Sequence, residues 1–183
     1  MRITQTDIEG IVVVEPQVFG DERGYFFESF NLRDFCAATG RDIHFVQDNE
    51  SRSHYGVVRG LHFQRPPYAQ AKLVRVVEGE VLDVGVDIRR DSPTYGKYAA
   101  VRLSSLNKRQ LFLPKGIAHG FAVLSEVAVF QYKCDEYYHP EAEGAIAWND
   151  STLAIDWGIP SDEVVLSAKD SKNPPLSCFT SPF

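Results

Sequence analysis

A two-residue period in hydrophobicity most constrains how this chain can fold. From Leu82 to Ile88, apolar side chains alternate with Asp or Gly, which predicts a strand with one dry and one wet face. Glu78-Gly79-Glu80, just before it, predicts a tight reversal between two strands. Turn signals recur at short intervals through most of the chain. This spacing favours an all-β sandwich or barrel over alternating strands and helices.

Short apolar runs predict further strands, and helical signals are few. One strand is predicted to begin at Lys72, and others are predicted at residues 10–15, 25–30, 101–103, 111–113, 121–124 and 127–132. Asn31 predicts the cap of a short helix from Leu32 to Thr39, which Gly40 ends. A helical turn or two is predicted between residues 161 and 170. No repeat, linker or low-complexity segment divides the chain, so we expect residues 1–183 to form one domain.

Charge and composition exclude several classes of partner. The net charge is −6, which argues against nucleic acid, so an anionic ligand would need a local cluster of cations. No apolar run approaches the roughly 20 residues of a membrane span, and the N-terminus has no apolar signal core. Cys36, Cys134 and Cys178 are odd in number and far apart, so we expect neither disulfides nor a metal knuckle. A reduced, cytoplasmic setting is the simplest expectation.

Two stretches carry the residues best suited to chemistry. The first, from Gly56 to Gly79, places His62 and Lys72 on neighbouring β-segments. The second, from Leu113 to Gly120, adds His119. We expect these stretches to form the two halves of one pocket, with the remaining strands as the barrel around it.

The two stretches resemble the paired motifs of the cupin superfamily of small jelly-roll barrels. The matching positions are Gly56, His62, Gly79, Pro114, Gly116 and His119. Gln64 stands where the first motif has its second histidine, and Lys72 stands where it has a glutamate. The resemblance implies an all-β, cupin-type jelly-roll barrel with a few short helices at the periphery.

The two departures bear on metal binding. A metal cupin holds its ion with three imidazoles and a carboxylate, whereas here an amide and an ammonium replace two of the four ligands. Because a lysine cation repels a divalent metal, we expect no metal ion and no other cofactor. The Lys72 ammonium could instead stabilise negative charge that develops on a substrate oxygen.

Proton transfer needs a base and an acid. His62 is the natural base, because imidazole titrates near neutral pH. Tyr132 shares a strand face with Ala128 and Phe130 and could point inward as a proton donor. A carboxylate would orient His62, and sequence spacing leaves open which one.

Several longer motifs closely resemble the dTDP-4-dehydrorhamnose 3,5-epimerase family, in one order from about residue 10 to 170. They are Phe19-Gly-Asp-Glu-Arg-Gly, Phe45-Val-Gln-Asp-Asn, Val58-Arg-Gly-Leu-His-Phe-Gln, Lys72-Leu-Val-Arg, Asn107-Lys-Arg-Gln, His119-Gly-Phe, Trp148-Asn-Asp and Leu166-Ser-Ala-Lys-Asp. One departure is Glu50, in a predicted loop near the pocket, where the family more often has histidine.

This resemblance implies a role for each matched residue. His62 would be the base, Tyr132 the proton donor, Asp170 the carboxylate paired with the base, and Lys72 the cation that steadies an enolate. Phe26 and Tyr138 would hold the thymine ring. The complete set of implied substrate-binding positions is Arg23, Phe26, Glu28, Gln47, Asp48, Asn49, Arg59, Lys72, His119, Tyr138, Glu143 and Lys169.

The implied reaction converts dTDP-4-dehydro-6-deoxy-D-glucose to dTDP-4-dehydro-L-rhamnose, with inversion at C3 and C5 and without a cofactor. In the family Arg23 reaches the partner subunit's site, which implies a homodimer. Three other hypotheses stay open: an epimerase of C3 or C5 alone, a metal-dependent cupin oxygenase, and a sugar-nucleotide-binding cupin without catalysis.

Overall fold

Two antiparallel sheets form the body of the computed structural model, which describes residues 1–183. The six-stranded sheet has the order β1 (Arg2–Gln5), β2 (Val12–Glu15), β10 (Gln110–Leu113), β7 (Lys72–Glu78), β12 (Val127–Cys134) and β5 (Gln47–His54). The five-stranded sheet has the order β13 (Glu143–Ala145), β6 (Val58–Gln64), β11 (Ile117–Val123), β8 (Glu80–Asp87) and β9 (Tyr98–Ser104). A small hairpin joins β3 (Phe19–Asp21) to β4 (Gly24–Phe26). The all-β prediction is confirmed.

The main core lies between the two sheets. Val74 and Phe130 of the six-stranded sheet pack in one cluster with Phe121 and Val123 of the five-stranded sheet. The Phe121 and Phe130 rings stack with their centroids 4.2 Å apart. This apolar layer holds the sheets together and leaves room for a polar cavity beside it.

The predicted helix is confirmed as α1 (Leu32–Thr39). The Asn31 side chain accepts a hydrogen bond from the Asp34 amide, and Gly40 ends the helix with a φ of 67°. The fully buried Phe35 packs on the outer face of the six-stranded sheet. No helix in the structure is both long and apolar enough to cross a membrane.

The helical turn predicted between residues 161 and 170 is wrong. Val165 instead exchanges backbone hydrogen bonds with Gly56 and Val58 at the start of β6. These tertiary bonds take the place of helical ones. The 3-10 turns in this part of the chain, Asp170–Lys172 and Leu176–Cys178, begin only where the predicted turn would end.

The wet face predicted for β8 is also wrong, because both faces of the strand are covered. Val84 and Val86 face outward and pack under the C-terminal half of the chain, with Trp157 among their neighbours. Asp83 is fully buried and hydrogen-bonds to His119. Burial here depends on distant segments that cover the strand.

Gly79 does not make a β-hairpin. It alone separates β7 from β8, yet the two strands belong to different sheets, so the chain crosses from one sheet to the other. His62 on β6 and Lys72 on β7 also lie in opposite sheets, because the chain crosses once more between these two strands. The two side chains therefore belong to facing walls of the barrel, while His119 on β11 lies beside His62 in the same sheet.

The strand β5 was not predicted, and Glu50 lies within it rather than in a loop. The strand pairs with β12 along its whole length. Its side chains are polar on both faces, so it lacks the hydrophobic alternation by which strands are recognised. In contrast, the strand predicted at residues 25–30 shortens to three residues, Gly24–Phe26.

Candidate active site

A cavity of about 410 Å³ opens between the two sheets. The five-stranded sheet contributes His62 and His119 to its lining, and the six-stranded sheet contributes Lys72 and Tyr132. An adjoining cavity of about 300 Å³ shares His62, Lys72 and Tyr132. The structure thus brings together the four side chains that the sequence singled out for chemistry.

His62 and Asp170 form a close polar pair in the cavity wall. The His62 Nε2 atom lies 2.5 Å from Asp170 Oδ1, although the two residues are 108 positions apart. Burial raises the pKa of Asp170, but hydrogen bonds from His62, Ser167 and Asn173 outweigh this and hold it below its ordinary value. The carboxylate is therefore ionised at neutral pH and can accept a hydrogen bond from Nε2–H of His62; in that tautomer of the neutral ring, Nδ1 carries the lone pair.

Lys72 presents a cation without a counterion. None of the ion pairs in the structure includes Lys72. Burial lowers the pKa of the ammonium, and the acidic groups Cys134, Asp83 and Glu143 partly offset that shift. Its Nζ atom lies 5.8 Å from the centre of the Tyr132 ring. The positive charge is thus available to an anionic group that enters the cavity.

Tyr132 lies on the inner face of β12, as the alternation with Ala128 and Phe130 predicts. Burial raises the pKa of its phenol, so the hydroxyl keeps its proton at neutral pH. Tyr132 and His62 occupy opposite sheets and line the same cavity. A ring bound between them would have a base on one face and an acid on the other.

His119 makes a second pair with a carboxylate. Its Nε2 atom lies 2.9 Å and 3.1 Å from the two oxygens of the buried Asp83. Burial lowers the pKa of His119 despite the attraction of Asp83, and the nearby Lys72 charge lowers it further. Asp83 was not identified as a site residue from the sequence. A carboxylate with apolar neighbours on both sides, Leu82 and Val84, in the middle of a strand was the signal that could have revealed it.

The cupin-type metal position does not fit a metal ion in this chain. The carboxamide of Gln64 is already bound to the backbone: it donates to Tyr68 and Tyr137 and accepts from His139. Lys72 adds a positive charge where a ligand would be needed. The available donors therefore do not make a divalent-metal site.

Most of the other implied binding residues surround the mouth of the cavity. Glu143 joins two of them: its Oε2 atom lies 2.5 Å from Lys169 Nζ and accepts a 2.8 Å hydrogen bond from the Tyr138 hydroxyl. Gln47 donates to Asn49 and accepts from the Tyr138 amide. The remaining one, Arg59, donates to Ser53 and also lines the larger cavity.

Four implied residues are not brought to this cavity. Arg23 and Phe26 lie on the β3–β4 hairpin, where the Arg23 side chain is 85% exposed and pairs with Asp21. Glu28 follows in the exposed segment after the hairpin. Asp48 projects from the outer face of β5, where its carboxylate binds Lys133, because side chains alternate along a strand.

The two facing antiparallel sheets and the cavity between them define a cupin-like fold. The family model for dTDP-4-dehydrorhamnose 3,5-epimerase matches residues 5–177. The chain belongs to this family of carbohydrate epimerases, which are isomerases.

Three relatives show how similar the chain is to known members. The dTDP-4-dehydrorhamnose 3,5-epimerase of Escherichia coli (strain K12) is 54% identical over 172 residues, which cover 94% of this chain and 92% of that protein. A dTDP-6-deoxy-D-glucose-3,5-epimerase from Legionella pneumophila, solved in complex with dTDP-4-keto-L-rhamnose, has a TM-score of 0.94 at 50% identity, covering 98% of this chain and 94% of that one. A 3'-monoepimerase from Streptomyces bikiniensis, solved with dTDP-quinovose, has a TM-score of 0.87 at 35% identity, covering 94% of this chain and 86% of that one.

Proposed function

We propose that this chain converts dTDP-4-dehydro-6-deoxy-D-glucose to dTDP-4-dehydro-L-rhamnose in dTDP-L-rhamnose biosynthesis. The observation that carries the proposal is the placement of the His62–Asp170 pair and Tyr132 on opposite walls of one cavity. Lys72, which makes no ion pair, lies on the same wall as Tyr132. Membership of the family and the sugar nucleotide bound to the Legionella relative support the choice of substrate.

The chemistry follows from the ketone of the substrate. The C4 carbonyl acidifies the hydrogens on C3 and C5, and His62 Nδ1 removes one of them as a proton. The electron pair moves to the C4 oxygen and forms an enolate. Tyr132 then gives a proton to the same carbon from the other face of the ring, so the configuration inverts. Solvent restores the proton of Tyr132 and takes the one from His62.

Lys72 supplies the charge that the enolate requires. In a water-excluded cavity, one well-placed donor lowers the barrier to a developing oxyanion by about 3–4 kcal/mol. Lys72 makes no ion pair, so in the free site no carboxylate is in contact with its ammonium and the position beside it is open to the enolate oxygen. This arrangement provides the electrostatic role that a metal ion has in other cupins.

The nucleotide supplies binding energy away from the reacting carbons. Arg59 and Lys169, at the cavity mouth, are placed to bind the diphosphate, and Tyr138 offers an aromatic face to the thymine. Arg59 gives locally the positive charge that a chain of net charge −6 lacks overall, and Lys169 would add to it by exchanging its Glu143 partner for a phosphate oxygen.

We further propose that the protein is a homodimer in which the β3–β4 hairpin completes the partner subunit's site. Phe19, Tyr25 and Phe26 of the hairpin are 56%, 60% and 68% exposed, an apolar surface that favours coverage by another subunit. Arg23 lies at the tip of the same hairpin and would add a cation to the partner's diphosphate site.

Mixing two inactive variants tests this dimer. An Arg23→Ala chain and a His62→Asn chain should each have low activity alone. If the subunits exchange hairpins across the interface, their heterodimer contains one site with both His62 and Arg23 intact, and activity returns after co-refolding. Mixed chains that form dimers by analytical ultracentrifugation but recover no activity would show that Arg23 serves its own subunit or none.

Deuterium wash-in tests the reaction itself. In deuterium oxide we expect solvent deuterium at both C3 and C5 of the sugar nucleotide, read by NMR or mass spectrometry after an NADPH-dependent 4-reductase traps the product. Deuterium at one carbon only would establish the second candidate, a single-position epimerase, which the match to a 3'-monoepimerase favours. The absence of deuterium at both carbons would leave a sugar-nucleotide-binding protein without this activity.

A further inference from the structure

Asp150, in the Trp148-Asn-Asp motif, binds two separate parts of the chain with one buried carboxylate. The residue is 5% exposed. Its Oδ1 atom accepts 2.9 Å hydrogen bonds from the amides of Thr152 and Leu153, which build its own turn. Its Oδ2 atom accepts a 2.7 Å bond from the amide of Leu176, 26 residues further along. One oxygen therefore serves the local turn and the other anchors the C-terminal segment.

This anchored segment carries the carboxylate that binds His62. Two residues before Leu176, the carbonyl of Pro174 accepts a 2.8 Å bond from the Ala147 amide. Asn173 then contacts the carbonyl of Gly60, on the strand of His62, and Asp170 Oδ1, each at 3.4 Å. Hydrogen bonds at Leu176, Pro174 and Asn173, joined through the backbone of this short segment, thus connect Asp150 to Asp170.

The structure assigns Asp150 as a positioning residue for the His62–Asp170 pair. It ties the C-terminal segment to the barrel and so holds Asp170 against His62. The catalytic part of this inference rests on the proposed function. Its physical basis is that a catalytic group must be held within a fraction of an ångström, and misplacement by about 1 Å can cost on the order of a hundredfold in rate.

The C-terminal segment has other attachments, so loss of Asp150 should displace it rather than unfold the chain. The ring centroids of Phe179 and Phe183 lie 5.3 Å and 6.1 Å from that of Phe63. Ser181 also donates to the carbonyl of Ile88. These contacts keep the tail on the barrel when the Asp150 anchor is removed.

Two independent pairs of variants test the anchor. Asp150→Ala removes the carboxylate, and Asp156→Ala is its matched control, because Asp156 caps a neighbouring turn by accepting from the Gly158 amide and does not bind the C-terminal segment. Leu176→Pro removes the amide that Asp150 binds, at the first position of a 3-10 turn where proline is tolerated, and Leu176→Ala controls for the lost side chain.

Three measurements separate positioning from general damage. They are the downfield proton resonance of the His62 imidazole N–H hydrogen-bonded to Asp170, kcat and KM for epimerisation, and the Kd for dTDP. Asp150→Ala and Leu176→Pro should weaken or remove the resonance and lower kcat by about ten- to a hundredfold, with the Kd for dTDP close to that of the wild type. The two control variants should keep both the resonance and kcat.

Retention of the resonance and of kcat in folded Asp150→Ala and Leu176→Pro would overturn the inference, as would equal losses in Leu176→Ala and Leu176→Pro. If Asp150→Ala does not fold, the Leu176 pair decides. Failure of the proposed function has a different signature: His62→Asn and the wild type would then turn over the substrate at the same rate. The His62 resonance of the other variants would still report whether Asp150 holds Asp170.

Discussion

Replacement of His62 by asparagine should lower kcat by about 10²–10⁴-fold and abolish deuterium wash-in at both C3 and C5. Asparagine is similar in size to the inner part of the imidazole but cannot accept a proton near neutral pH. Because the His62 side chain is 29% exposed at the cavity wall, the change should cost little stability. Steady-state kinetics and deuterium exchange measure the loss, and a thermal melt checks the fold.

His54 offers a matched control for this substitution. It is also a histidine on a strand, at the exposed outer edge of β5. His54→Asn should leave both kcat and exchange unchanged. Wild-type exchange in His62→Asn would mean that another group removes the proton, and the proposed division of roles between the two walls of the cavity would be wrong.

Replacement of Tyr132 by phenylalanine should separate proton removal from inversion. The ring keeps its place near Phe130, with the centroids 6.1 Å apart, so packing is preserved while the proton donor is lost. His62 can still form the enolate and return a solvent-derived deuteron to the face from which it took the proton. Recovered substrate should therefore carry deuterium with its configuration retained, while formation of the epimer falls by about 10²–10⁴-fold.

Lys72→Met provides the contrasting result. Loss of the cation destabilises the enolate itself, so exchange and inversion should both slow by about 10²–10³-fold. For Tyr132→Phe, the control for the loss of a hydroxyl is Tyr137→Phe, at an exposed position. If Tyr132→Phe lost exchange as severely as Lys72→Met, the phenol would stabilise the enolate rather than protonate it from the far face.

The parts of the fold that could be predicted are those with local signals. Asn31 and Gly40 mark the ends of α1 because a cap is decided by the nearest few residues. The inward direction of Tyr132 follows from alternation along a single strand. His62 was identified because it matches the first histidine of the cupin motif, and Lys72 because a lysine in place of the motif's glutamate departs from the metal-binding pattern in a chemically interpretable way.

Two of the errors share one cause. Asp83 was assigned to a wet face because the sequence does not show that this carboxylate is buried against His119. The strand β5 was missed because its inner face, which lines a cavity of the site, is polar. Periodicity reports that a strand has two different faces, but it does not report what covers each face.

The sequence by itself determined the chemical inventory, namely an imidazole, a phenol and a lysine in place of a metal ligand, together with the resemblance to an epimerase family. Only the tertiary structure decided that Asp170 reaches His62 across 108 residues and that His62 and Tyr132 lie on opposite sheets. It also decided that Lys72 has no counterion. The physical reason is that residue type and spacing are local properties of the chain, whereas pairing, burial and charge balance arise from contacts between segments that only the folded barrel brings together.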